Sequence, residues 1–101
     1  MKWLAILLLA ATPALAQTQA EAMAHGRALA ETWCANCHVV GPAARTGGDS
    51  APSFASIATR APEQEALRRW LSQQHRNAMP NYNLSRSEIE DVISYLLSLR
   101  R

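Results

Sequence analysis

The sequence predicts an all-α protein. Two observations carry this: three stretches repeat their apolar residues at helical spacing, and no stretch alternates with period two for long enough to make a strand. The chain has 101 residues, 49% hydrophobic and 18% charged, with a formal net charge of +2. That length supports one small domain, too short for an enzyme carrying a separate cofactor domain. The near-neutral balance lacks the basic stripe that nucleic acid requires. Four Gly and five Pro exclude a collagen-like or Pro-rich disordered chain, and two Cys exclude a disulfide-dense scaffold. No internal repeat is present.

Residues 1–16 read as an address. Lys2 precedes the apolar run Leu4–Ala11, Thr12-Pro13 interrupts it, and Ala14-Leu15-Ala16 supplies small residues. This is the order of a secretory signal, with cleavage expected after Ala16. The run is well short of the ~20 residues of a membrane-spanning helix. The mature chain, 17–101, then holds no lysine and nine arginines. It would work outside the cytoplasmic membrane, where thiols tend to oxidise.

The first helix is expected over about Gln19–Cys34. Thr18 and Glu21 have capping-box spacing, and Gly26, Leu29, Ala30 and Trp33 share one face. Val39–Thr59, rich in Gly, Pro, Ala and Ser, reads as a loop. A second helix is expected over about Pro62–Gln74, with Pro62 at its first position, Glu63 and Glu65 near its positive end, and Leu67, Trp70 and Leu71 as its buried stripe. Ala78–Leu84 is a second loop. The third helix starts from the Ser85–Glu88 capping box, carries Ile89, Val92, Ile93 and Leu96 on one face, and closes on Arg100-Arg101. Three short helices make a thin core, and a loop of about 20 residues is unusual in a compact domain unless it wraps something. Both features ask for a large apolar object inside.

Cys34-Ala35-Asn36-Cys37-His38 supplies it. C-x-x-C-H is the attachment signature of c-type haem: two cysteines three positions apart reach one edge of a porphyrin, each forms a thioether, and the adjacent His is placed to ligate iron. A disulfide oxidoreductase site is the first alternative, but the βαβ pattern that goes with it is missing. Zinc held by Cys34 and Cys37 with His25 and His75 is the second, but the spacing is not that of a finger.

On these residues the chain resembles a small bacterial class I (monohaem) cytochrome c, over essentially the whole of 17–101. The resemblance implies three to four short helices and long loops wrapped around one covalently bound haem c. Cys34 and Cys37 are the thioether residues and His38 the proximal iron ligand. Gly26, eight before Cys34, lets the terminal helix approach closely, with Val92 and Tyr95 packed against it. Ala30 stands where the family often has an aromatic. Met79-Pro80 resembles the family's ligand loop, which makes Met79 the distal ligand; a soft, neutral thioether favours ferrous iron and raises the potential. His75 is the alternative sixth ligand. Pro52, in Ala51-Pro52-Ser53-Phe54, resembles the proline whose carbonyl accepts a bond from the proximal His. Arg60 stands at the position of the propionate-pairing arginine, and Trp70 is a further candidate for contact with a propionate or the ring.

Two protein ligands saturate the iron, so the resemblance implies electron carriage and no catalytic residue. The expected partners are redox proteins: a periplasmic dehydrogenase, a cytochrome complex or a terminal oxidase. They would dock on a monomer through a small, largely apolar interface around Ala78, Pro80 and Tyr82. Two alternatives stand beside the shuttle. One is a subunit dedicated to a single dehydrogenase or oxidase. The other is a gas- or peroxide-binding haem protein, if Met79 is not a stable ligand.

Overall fold

The computed structural model describes residues 18–42, 48–60, 63–73 and 79–100. The proposed signal at 1–16 lies outside them, as do Pro62, His75 and Ala78. Four helices run in order: α1 (Gln19–Trp33), α2 (Phe54–Arg60), α3 (Gln64–Ser72) and α4 (Arg86–Ser98). The described residues contain no strand.

Both long helices begin where their caps place them. The Thr18 hydroxyl accepts the Glu21 backbone N–H at 3.1 Å, satisfying one of the donors a helix start leaves open. At α4 the box closes in both directions: Ser85 Oγ accepts the Glu88 N–H at 3.1 Å, and Glu88 Oε1 accepts the Ser85 N–H at 2.8 Å. Replacing Ser85 by Ala is expected to cost about 1 kcal/mol. An unchanged unfolding midpoint in that variant would refute the cap. The Ser85 N–H also holds the Glu88 carboxyl below its usual value of 4.5. A carboxyl lowered by folding contributes stability above its ordinary value, and that contribution fades as pH falls through the lower folded value. Below pH 4.5 the unfolding temperature should therefore fall less steeply in Glu88→Gln than in the parent.

The core sits between α1 and α4. Ala30, Val40, Ala58 and Val92 are fully buried, with Phe54, Ile89, Ile93, Tyr95 and Leu96 around them. Close approach depends on Gly26, where an added Cβ would lie 1.9 Å from the Asp91 carbonyl oxygen and 3.0 Å from Tyr95 Cβ. Tyr95 then crosses to the chain after α1, its hydroxyl donating to the Val40 carbonyl at 2.5 Å. Outside this pair the packing is sparse. Each of α2 and α3 touches α4, and among the described residues neither touches the other or α1. Arg68 holds α3 to α4 by forking its guanidinium onto both carboxylate oxygens of Glu90. Arg100 Nε donates to the Ala58 carbonyl at 3.1 Å, which ties the end of α4 to α2.

Four sequence expectations need correction. The stretch 39–59 is not all loop, since α2 occupies its last third. Trp33 leaves the buried face of α1 and is 43% exposed, because the helix ends there: the Ala30 carbonyl accepts both the Cys34 and Ala35 N–H groups. Trp70 is 58% exposed, so the buried stripe of α3 reduces to Leu67 with Leu71 partly covered. α3 itself starts at Gln64 with Glu63 as its cap position, and Glu63 makes no side-chain cap bond.

Candidate functional site

The end of α1 delivers the two cysteines. After the helix, the His38 N–H returns to the Cys34 carbonyl at 2.9 Å and the Cys37 N–H to the same oxygen at 3.2 Å. Residues 34–38 thus form one tight turn. Both thiols are free; Cys34 is half-buried and Cys37 exposed.

A second segment braces this turn. The Gly48 N–H donates to the Ala35 carbonyl at 2.7 Å, the Ala51 N–H to the Cys37 carbonyl at 2.9 Å, and the Phe54 N–H to the Val39 carbonyl at 2.9 Å. Gly48 is obligatory in this brace, since a Cβ there would lie 2.3 Å from the Asn36 carbonyl oxygen. At the end of the brace His38 Nδ1 and the Pro52 carbonyl oxygen are 2.5 Å apart. A carbonyl accepts only, so Nδ1 carries the proton and Nε2 is left with its lone pair. The Phe54 ring meets the His38 ring edge-on at 5.6 Å and continues to Tyr95 at 6.4 Å, which links the imidazole to the core.

The thiol chemistry argues against disulfide exchange. An exchange nucleophile needs a lowered pKa. Burial pushes Cys34 the other way, up to about 11. Zinc fares no better: among the described residues no group of three or more His, Cys, Asp or Glu could hold a metal ion. His25, one of its candidate ligands, instead pairs with the buried Asp91 at 2.5 Å across the α1–α4 contact.

The remaining sequence candidates lie on other segments. Met79 is half-buried, at the head of the segment leading into α4. Arg60 is exposed and turns back on its own helix, bonding the Ser56 carbonyl and hydroxyl at 3.3 Å each. Trp70 lies on the outer side of α3. Sequence reasoning missed one contact here: the rings of Trp33 and Tyr82 lie 5.1 Å apart at 36°. Nothing in the sequence pairs two aromatics 49 positions apart. A groove of about 350 Å³ lies elsewhere, lined by Gln19, Met23, Gln64 and Glu90 among others, and contains no residue of the cysteine turn.

Residues 21–96 match the family described as cytochrome C oxidase, cbb3-type, subunit III. The chain is also 40% identical over 92 residues to cytochrome c-552 of Bradyrhizobium diazoefficiens, covering 86% of this chain and 88% of the relative. This chain belongs to the c-type cytochromes. No solved structure matches it.

The cytochrome is a haem c electron-transfer protein with the all-α fold of its family. Its own residues fit the group. Two free thiols and one imidazole with a fixed tautomer stand on a single braced turn. Among the described residues, helices α2 and α3 each contact α4 and not each other. No described helix of the cytochrome is long and apolar enough to cross a membrane.

Proposed function

We propose that this cytochrome is a periplasmic one-electron carrier. Cys34 and Cys37 hold haem c by thioethers, and His38 and Met79 are its axial ligands. Bound haem c supplies a one-electron change between ferrous and ferric iron. The observation that carries the reading is the His38 Nδ1–Pro52 hydrogen bond. It turns the free Nε2 lone pair into the donor beside two free thiols, and it raises the basicity of the ring. Pro52 does this through its carbonyl, so its role survives most side-chain changes at that position. Pro80 restricts the backbone after Met79 and keeps the thioether near one place. With His38 and Met79 both ligating, the iron would offer no open position to a small molecule, and the group would serve electron carriage.

Residues 1–16, removed on export, account for the location. Partners are redox proteins that meet the cytochrome near Pro80 and Tyr82. A dedicated place in one oxidase is the second reading, supported by the family match to an oxidase subunit. A pull-down from periplasm that recovers one enzyme in fixed stoichiometry favours that reading, whereas recovery of the free cytochrome alone favours the shuttle.

Met79→Ala tests the ligand assignment. The midpoint potential of the variant is expected to fall by at least about 60 mV, equivalent to ~1.4 kcal/mol of lost preference for ferrous iron. Carbon monoxide should bind the reduced variant readily and the parent slowly. An unmoved potential would show that another residue holds the sixth position. Fast binding of carbon monoxide to the parent would favour a gas-binding role.

A further inference from the structure

We infer that Trp33 and Tyr82 form a clasp that holds the Met79 loop against the cysteine turn. The inference rests on Met79 being an axial ligand and adds what keeps it in place. Residues 79–84 carry little of the packing that fixes the rest of the chain. Met79 is half-buried, and residues 80–83 are exposed. Their C-terminal end is secure, because Leu84 packs on the core and Ser85 caps α4. Within the loop, Asn81 Oδ1 accepts the Asn83 N–H at 2.9 Å, and Asn83 takes φ = 53°. Asn is one of the few side chains that tolerates this left-handed backbone, and the Asx turn stabilises it. The turn sets the shape of the loop and presents Tyr82 at its tip, but it attaches the loop to nothing.

The attachment is the ring contact. Tyr82 meets Trp33 at 5.1 Å. Trp33 is the last residue of α1 and the immediate neighbour of Cys34, whose N–H is fixed to the Ala30 carbonyl at 2.8 Å. The clasp therefore spans from the residue beside the first thioether sulfur to a residue three past the sixth ligand. It accounts for two of the three large apolar side chains that the described chain leaves exposed. It also explains why Trp33, on the sequence pattern a core residue of α1, sits outside the core. Trp33 and Tyr82 are positioning residues: they touch each other and act through the loop on Met79.

The test uses the holoprotein in parent form and as Trp33→Ala, Tyr82→Ala, the double variant, and the conservative Trp33→Phe and Tyr82→Phe. Two readouts report the loop: the rate at which carbon monoxide binds the reduced protein, and hydrogen exchange of the Asn83 amide. Each alanine variant should raise both by about two- to tenfold, the population change an aromatic pair of this kind controls. The double variant should add little beyond either single one, because one contact is lost in all three. The Phe variants should return towards the parent. Exchange at the Val92 amide, deep in α4, should stay unchanged.

Unchanged carbon monoxide binding in both alanine variants, with a clear increase in Met79→Ala, overturns the clasp and leaves the ligand assignment standing. No change in Met79→Ala overturns both. An equal loss of protection at Val92 and Asn83 overturns the clasp by making the effect global. Slower electron transfer to a partner with both loop readouts unmoved overturns it in favour of a docking patch.

Discussion

With Cys34 and Cys37 both replaced by Ala, the chain should be largely unfolded. The reason lies in how little the polypeptide buries by itself. The residues with no exposure at all, Ala30, Ala58, Val40 and Val92, are small. Three large apolar groups among the described residues, Trp33, Trp70 and Tyr82, are exposed. Among the described helices, α2 and α3 each contact only α4. Domains of this size already bury a modest fraction of their surface, and isolated helices of 7 to 15 residues are marginal in water. Removing the covalently held group removes the surface against which these elements close. The variant should show low helicity by circular dichroism and a collapsed range of amide chemical shifts. Cys34→Ala alone keeps one thioether and should stay folded, which separates loss of the group from loss of a thiol. A well-dispersed spectrum from the double variant would mean that the polypeptide packs its own interior.

Gly26→Ala should be the most damaging change of a single residue outside the cysteine turn. Two effects oppose each other. Alanine is the better helix former by about 1 kcal/mol, which favours the variant. Against that, its Cβ would stand 1.9 Å from a backbone oxygen of α4, which cannot swing aside as a side-chain tip would. The helices must separate along their whole contact, loosening Ala30, Val92 and Tyr95 and stretching the His25–Asp91 bond. Overpacking in a core costs roughly 1–3 kcal/mol where side chains can yield, and a rigid backbone places this case at or above the upper end. A net loss of about 3 kcal/mol corresponds to roughly 12–24 °C in unfolding temperature for a domain of this length. A shift of only a few degrees would mean that α1 and α4 are further apart than described.

How much of this was legible in the sequence depended on whether the signal was local. α1 and α4 could be read from Thr18, Ser85 and Glu88, because a cap and a helical stripe lie within one short window. The C-x-x-C-H turn was legible for the same reason. α2 was not: Phe54–Arg60 spans only two turns, too few for a period to emerge, and β-branched Ile57 and Thr59 weigh against a helix. Its helical state follows from Phe54 and Ala58 reaching the core and from Arg100 bonding its Ala58 carbonyl. Trp33 and Trp70 misled because residue type suggests burial, whereas exposure is decided by where a helix ends and how many neighbours it has. The His25–Asp91 pair and the Trp33–Tyr82 contact join residues far apart in the chain, and no spacing rule encodes them.

Covalent attachment of haem is tested most directly by the intact mass of the purified holoprotein after denaturation. The expected species is heavier than the polypeptide by one haem, with the addition mapped to the peptide containing Cys34 and Cys37. A mass equal to that of the amino acids alone would contradict it.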